Sequence, residues 1–134
     1  MDCIFCKIIA GDIPAYKVYE DDDVLVFLDI APVNPGHTLV VPKKHYNSLL
    51  DLPETEAHKL ISAVKKIVPA ILAGVSANSF NLGLNVGVEA GQAVPHLHWH
   101  IMPRYEGDGL ELWHGGSYAA GEAEKVLEKI KSKI

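Results

Sequence analysis

The chain has 134 residues, 49% of them hydrophobic and 22% charged, and a formal net charge of −5. That apolar fraction can build one buried core and is too high for a disordered chain, so residues 1–134 read as a single domain. The negative balance excludes a broad basic surface of the kind that binds nucleic acid, so any phosphate must be held by a local cluster of donors.

No stretch approaches the roughly 18 apolar residues of a membrane span. The opening MDCIFCKIIAGDIP lacks a basic segment followed by a long apolar run, so it does not read as a signal peptide and the expected location is the cytoplasm. There Cys3 and Cys6, the only cysteines, stay reduced, and their C-x-x-C spacing reads as half a metal site or a redox motif. A thioredoxin-like redox role would need a preceding strand, for which two residues leave no room.

Cys3 to Ala10 fits one short helical turn, closed by Gly11-Asp12-Ile13-Pro14. Val18–Tyr19 and Val24–Asp29 read as a hairpin around Asp21-Asp22-Asp23, and Thr38–Val41 as a third strand after the Pro35-Gly36 turn. From Asp51 to about Gly74 the apolar residues follow helical spacing, with Asp51 as N-cap, Glu54 in the capping-box position, and Pro69 expected to kink or end the helix. Phe80–Gly87 alternates apolar and polar residues as a strand does, Leu97–Met102 is another strand, and Ala119–Ile134 is a closing amphipathic helix. Together these predict an α+β plan with helices on one face of a mostly antiparallel sheet.

Most of the chemical information lies in His96-Leu97-His98-Trp99-His100. Strand alternation puts the three imidazoles on one face and Leu97, Trp99 and Ile101 on the other. Core packing does not call for three imidazoles, which are costly to bury unpaired. They suit a phosphate-handling site or a metal site; solvated histidines on an edge strand are the plain alternative. The preceding Asn85–Pro95 segment carries glycines that let a backbone approach a ligand, and exposed amides there can cradle a phosphate. His58, on the polar side of the long helix, reads as solvated surface, and His114 as loop.

On these strings the chain resembles the histidine-triad (HIT) nucleotide-binding proteins. Their string His-φ-His-φ-His-φ-φ, with φ hydrophobic, is matched by His96 to Met102. The similarity extends through C-I-F-C-K-I-I-A-G-D-I-P, V-L-V-F-L-D-I-A-P-V-N-P-G-H-T-L-V-V-P-K-K-H and N-V-G-V-E-A-G-Q-A-V-P-H-L-H-W-H-I-M-P-R, in the family's order. The resemblance implies a HIT-like fold: about five mostly antiparallel strands, one long helix, a C-terminal helix, and a homodimer with a continuous sheet.

The resemblance also implies roles. His98 looks like the nucleophile that attacks the α-phosphorus and carries a covalent nucleotidyl group until water removes it. A neutral imidazole is competent for this near neutral pH, provided that an acceptor, expected to be a backbone carbonyl, holds its other nitrogen. His100 would touch the phosphate or leaving atom, His37 would support the triad from a neighbouring strand, and His96 would open it. Asn85 and the backbone of Gln92, Ala93 and Val94 are candidate phosphate donors. Asp29 matches the acidic residue that the Hint branch uses on the ribose hydroxyls, with a plain strand-end turn residue as the alternative. Ile30 and Phe27 are candidate walls for the base, with core packing an equal reading for Phe27. Ala93 departs from the serine common in the Hint branch, which puts rate and substrate preference in doubt.

Several microbial members of the family build a structural zinc site from residues that correspond to Cys3, Cys6, His45 and His96, which would make His96 a ligand rather than a catalyst. Reduced thiols beside the core are the alternative. The implied ligand is a purine nucleotide such as AMP or an adenylyl conjugate, and the implied activity is hydrolysis of nucleoside 5'-phosphoramidates. A dinucleoside polyphosphate hydrolase of the Fhit type and a nucleotide-binding scaffold with incidental turnover are the other readings.

Overall fold

The computed structural model describes residues 2–134. Helix α1 (Ile4–Ala10) starts at Cys3, whose Sγ lies 3.5 Å from the Cys6 amide that caps onto it, and ends at Gly11. Strands β1 (Lys17–Glu20) and β2 (Val24–Leu28) form the expected hairpin, its turn held by the Asp21 carboxylate, which accepts from the Asp23 and Val24 amides at 2.8 Å. Strand β3 (Thr38–Pro42), helix α2 (Glu54–Gly74), strands β4 (Ser79–Leu84) and β5 (Trp99–Arg104), and helix α3 (Glu122–Lys131) follow. The strands make one antiparallel sheet in the order β1-β2-β3-β5-β4.

The four consecutive buried residues Val24–Phe27 on β2 follow from cover on both faces of the sheet. On one side Val24, Val26, Val40, Leu97 and Ile101 pack with Leu60, Val64 and Ile67 of α2. On the other, Leu25, Phe27, Leu39 and Val41 pack with Cys3, Phe5 and Ile8 from the α1 region. The expectation of helices on one face is therefore corrected: α1 carries its own apolar edge, Phe5 and Ile8, and covers the opposite side.

Three other expectations change. Asp51 does not cap the long helix; with Ser48 it forms a capping box on a separate 3-10 turn at Leu49–Asp51, and α2 begins after Pro53. Glu54 and Glu56 then sit in the first turn, where negative charge suits the helix dipole. Of the two outcomes expected at Pro69, an end is excluded, since α2 runs on through it to Gly74. The segment from Ala119 to Ile134 is helical only over Glu122–Lys131, and no residue of α3 is buried, so its apolar stripe does not close the core. Among the described residues no helix is long and apolar enough to cross a membrane.

Two connections position the site. Gly36 has φ +90, and a side chain there would meet Val75 at 2.8 Å, so only glycine makes the tight entry to β3 and His37. The loop after β4 turns at Gly91, φ +91, and its end is pinned by the Leu97 amide donating to the Tyr46 carbonyl at 2.7 Å.

Candidate active site and metal cluster

Strand β5 begins at Trp99, two residues later than its sequence pattern predicts, so His96 and His98 lie on the lead-in rather than in a regular ladder. The facial split still holds. Leu97 and Ile101 enter the core beneath α2 with Trp99 packed against them, while the histidines take the other side. His98 is buried, and its Nδ1 lies 2.8 Å from the carbonyl oxygen of His96. A carbonyl only accepts, so Nδ1 carries the proton and Nε2 keeps a bare lone pair.

The same reasoning assigns the neighbouring pair. The Val33 amide donates to His37 Nδ1 at 3.1 Å, so His37 is protonated at Nε2 and donates to His100 Nδ1 at 2.9 Å. His100 is thus a donor at its remaining nitrogen, Nε2. Burial lowers the His37 pKa, opposed by Asp29, whose Oδ2 lies 3.6 Å from Nε2. Burial, with the neighbouring His98 and His37, brings His100 down to about 4. Both rings are neutral near pH 7. Asp29, His37 and His100 are close enough together to suit a metal ion, yet His37 Nε2 carries a proton fixed by the Val33 contact. The trio works as a hydrogen-bonded chain ending in a donor.

His98 and His100 line a cavity of about 340 Å³ with Asp29 and Ile30 from the end of β2 and Asn85, Ala93 and Val94 from the glycine-containing loop. Its apolar side includes Phe27 and Leu39 from the sheet and Ile4, Phe5 and Ile8 from α1. Ile30 is 88% exposed at the rim. Gln92 does not line this cavity. Its side chain closes the loop instead, accepting from the Gly87 amide at 3.0 Å and donating to the Asn47 carbonyl at 2.6 Å and to that of Val94 at 3.1 Å. The α1 wall is the part that sequence reasoning missed; the i, i+1, i+4 spacing of Ile4, Phe5 and Ile8 was the available signal. His58 is solvent-exposed and His114 lies in a loop, both as expected.

The second cluster is Cys3, Cys6, His45 and His96, whose ligand atoms lie within 4.8 Å of one another. His96 Nε2 donates to the Pro42 carbonyl at 2.9 Å and His45 Nε2 to Asn47 Oδ1 at 3.0 Å, which leaves both Nδ1 atoms as lone pairs. These two atoms face each other at 3.1 Å. Two acceptors do not bond each other, and two thiols complete the set, with Cys3 Sγ 3.5 Å from His96 Nδ1 and Cys6 Sγ 3.4 Å from His45 Nδ1. Two thiols and two convergent imidazole lone pairs are the donor set of a closed tetrahedral zinc site, with the outer ring nitrogens already anchored. The residues fit that ion.

A five-stranded antiparallel sheet that presents a tautomer-fixed imidazole to an apolar cavity, backed by a histidine pair and a thiol-imidazole cluster, defines the class of this protein. A HIT domain is matched over residues 10–107, and the chain belongs to the HIT family. It is 51% identical over 129 residues to an uncharacterized HIT-like protein of Methanocaldococcus jannaschii, covering 96% of this chain and 98% of that one. It is 40% identical over 136 residues to an adenosine 5'-monophosphoramidase of Schizosaccharomyces pombe, covering 100% and 99%. Among solved structures, a HIT family protein from Bacillus subtilis superposes with a TM-score of 0.90 at 42% identity, covering 100% of this chain and 98% of that one. A zinc-bound histidine triad family protein from Mycobacterium smegmatis superposes at 0.79 with 35% identity, covering 100% and 99%.

Proposed function

We propose that this protein is a nucleotide hydrolase acting at the α-phosphorus of an adenylyl conjugate, with nucleoside 5'-phosphoramidates as the substrate class. The observation that carries the reading is the His98 ring, protonated at Nδ1 against the His96 carbonyl and bare at Nε2 beside a cavity large enough for a nucleoside. The similarity to an adenosine 5'-monophosphoramidase supports the substrate class.

The His98 Nε2 lone pair forms a bond to phosphorus as the bond to the leaving amine breaks, which gives an adenylyl-histidine. His100 Nε2–H donates to the leaving atom or a non-bridging oxygen, held in that tautomer by His37. The leaving amine takes the His100 Nε2 proton, and the water that then attacks phosphorus returns a proton to that nitrogen as AMP and the free His98 imidazole are released. Asn85 and the backbone around Ala93 and Val94 line the phosphate end, while Asp29 faces the ribose and Ile30, Phe27 and α1 flank the base. Ala93 brings no hydroxyl to the leaving group, so the amide backbone and His100 carry that contact.

Cys3, Cys6, His45 and His96 would hold zinc. Bound there, the ion would supply a structural cross-link between α1 and the lead-in to β5, outside the reaction. A symmetric homodimer with a continuous sheet is part of the same proposal. It is supported by β4, an edge strand with Phe80 and Leu82 more than a third exposed. Turnover of an AMP-amidate compared with a diadenosine polyphosphate tests the function. Preference for the amidate is expected. Preference for the polyphosphate would favour a Fhit-type hydrolase, and turnover of neither would leave a nucleotide-binding scaffold.

A further inference from the structure

Phe5 lies between the two thiols in sequence and is 7% exposed. Its ring stands nearly perpendicular to His98, with centroids 5.1 Å apart and an interplanar angle of 82°. It makes similar edge contacts with His96 at 5.8 Å and Phe27 at 5.6 Å. His100 also stands against the His98 ring, with centroids 5.0 Å apart and planes at 63°. The single hydrogen bond from His98 Nδ1 fixes one atom and a tautomer. It does not by itself fix the ring plane, because the χ2 well of an imidazole is broad. In-line attack depends on that plane, since it sets where the Nε2 lone pair points.

We propose that Phe5 is a positioning residue for His98, holding the imidazole plane through this perpendicular contact, beside that of His100, so that Nε2 stays aimed into the cavity. The inference rests on His98 being the nucleophile. Phe5 is itself held from behind. The Cys3 Sγ caps α1 at the Cys6 amide, the Cys3 carbonyl accepts from the Lys7 amide at 3.0 Å, and Phe27 supports the ring from the sheet. Perpendicular aromatic contacts at these distances are attractive and define relative orientation, which an aliphatic side chain of similar bulk does not. The thiol turn therefore reaches the nucleophile by two routes: the His96 carbonyl fixes its tautomer and Phe5 its plane.

Phe5 also lines the cavity, so the test must separate aiming from wall contact. Phe5→Leu and Phe5→Met are made in the full chain, with Met keeping the bulk if Leu compromises folding. Three quantities are measured on each folded variant: AMP affinity, single-turnover rate on an AMP-amidate, and the 15N signals of the His98 ring. Loss of aim predicts a rate lowered on the order of 10- to 100-fold, the scale for small misplacement of a reacting group. It also predicts an AMP affinity that falls by much less than the rate does, because Leu and Met keep an apolar wall, and His98 ring signals broadened by exchange between ring planes. An unchanged rate with unchanged ring signals overturns the proposal. So does a loss confined to AMP affinity, which would make Phe5 a wall only. The ring signals report orientation whether or not His98 is the nucleophile, whereas a fully active His98→Ala would defeat the nucleophile reading alone.

Discussion

His98 Nδ1 donates to the main-chain carbonyl of His96 at 2.8 Å, while the His96 side chain turns the other way and faces the thiols of Cys3 and Cys6. One residue thus serves two sites, its ring in the thiol-imidazole cluster and its backbone on the proposed nucleophile. Removing the His98 ring should abolish AMP-amidate turnover, by several powers of ten, while AMP binding persists. Quenched wild-type enzyme should carry an adenylyl group on His98 by mass spectrometry. His98→Ala that keeps more than about 1% of wild-type turnover would defeat the assignment, and label on His100 would move it.

Asp29 uses Oδ1 to accept the Ala31 amide at 2.8 Å, which holds the carboxylate at the mouth of the cavity. Asp29→Ala should weaken AMP binding by about 1–3 kcal/mol, the scale for hydrogen bonds to a charged group. A 2',3'-dideoxy analogue, with no diol to hold, should lose much less in calorimetric titrations. Equal losses for both ligands would show that Asp29 does not read the ribose.

Protein purified without chelator should contain about one zinc per chain by elemental analysis, since a closed site of two thiolates and two imidazoles takes one ion. Chelation should lower the melting temperature more than it lowers activity per folded molecule, because such an ion contributes to folding free energy. Metal-free protein with an unchanged melting temperature would return Cys3 and Cys6 to the role of ordinary thiols.

Burial lowers the pKa of His37 and brings that of His100 to about 4, so an unfolded chain binds more protons than the folded one between that value and the ordinary imidazole range near 6.5. Stability should therefore be fully present above about pH 6.5, fall as the pH drops toward 4, and lose nothing further from these groups below that. Denaturant midpoints across this window check the sign. His100→Gln should flatten the slope, and a slope unchanged in that variant would assign the acid sensitivity to His37 or to His96 in the thiol-imidazole cluster instead.

The residue pattern was enough to read the α+β class, the hairpin, the long helix and the pairing of imidazoles with a buried apolar face, because each depends on spacing within a few neighbouring residues. His96, His98, His100 and His37 were legible as a group, as were Cys3, Cys6, His45 and His96, through strings shared with a known family. The helix start was misread because Ser48 and Asp51 satisfy a local turn of their own, a choice that propensity does not separate from a helix cap. The exposed stripe of α3 shows the same limit, since periodicity reports that a face is apolar and not what lies against it.

Only the tertiary structure decided which nitrogen of each imidazole carries a proton. The acceptors and donors involved, Pro42, Val33, Asn47 and the His96 carbonyl, come from backbone turns and partners as far as 54 residues away in the chain. The same holds for α1, which lies across the sheet face opposite α2 and brings Phe5 against His98. Sequence determines which groups are available and on which face of their own element they stand. Their protonation and orientation are set by contacts between elements, which exist only once the chain has packed.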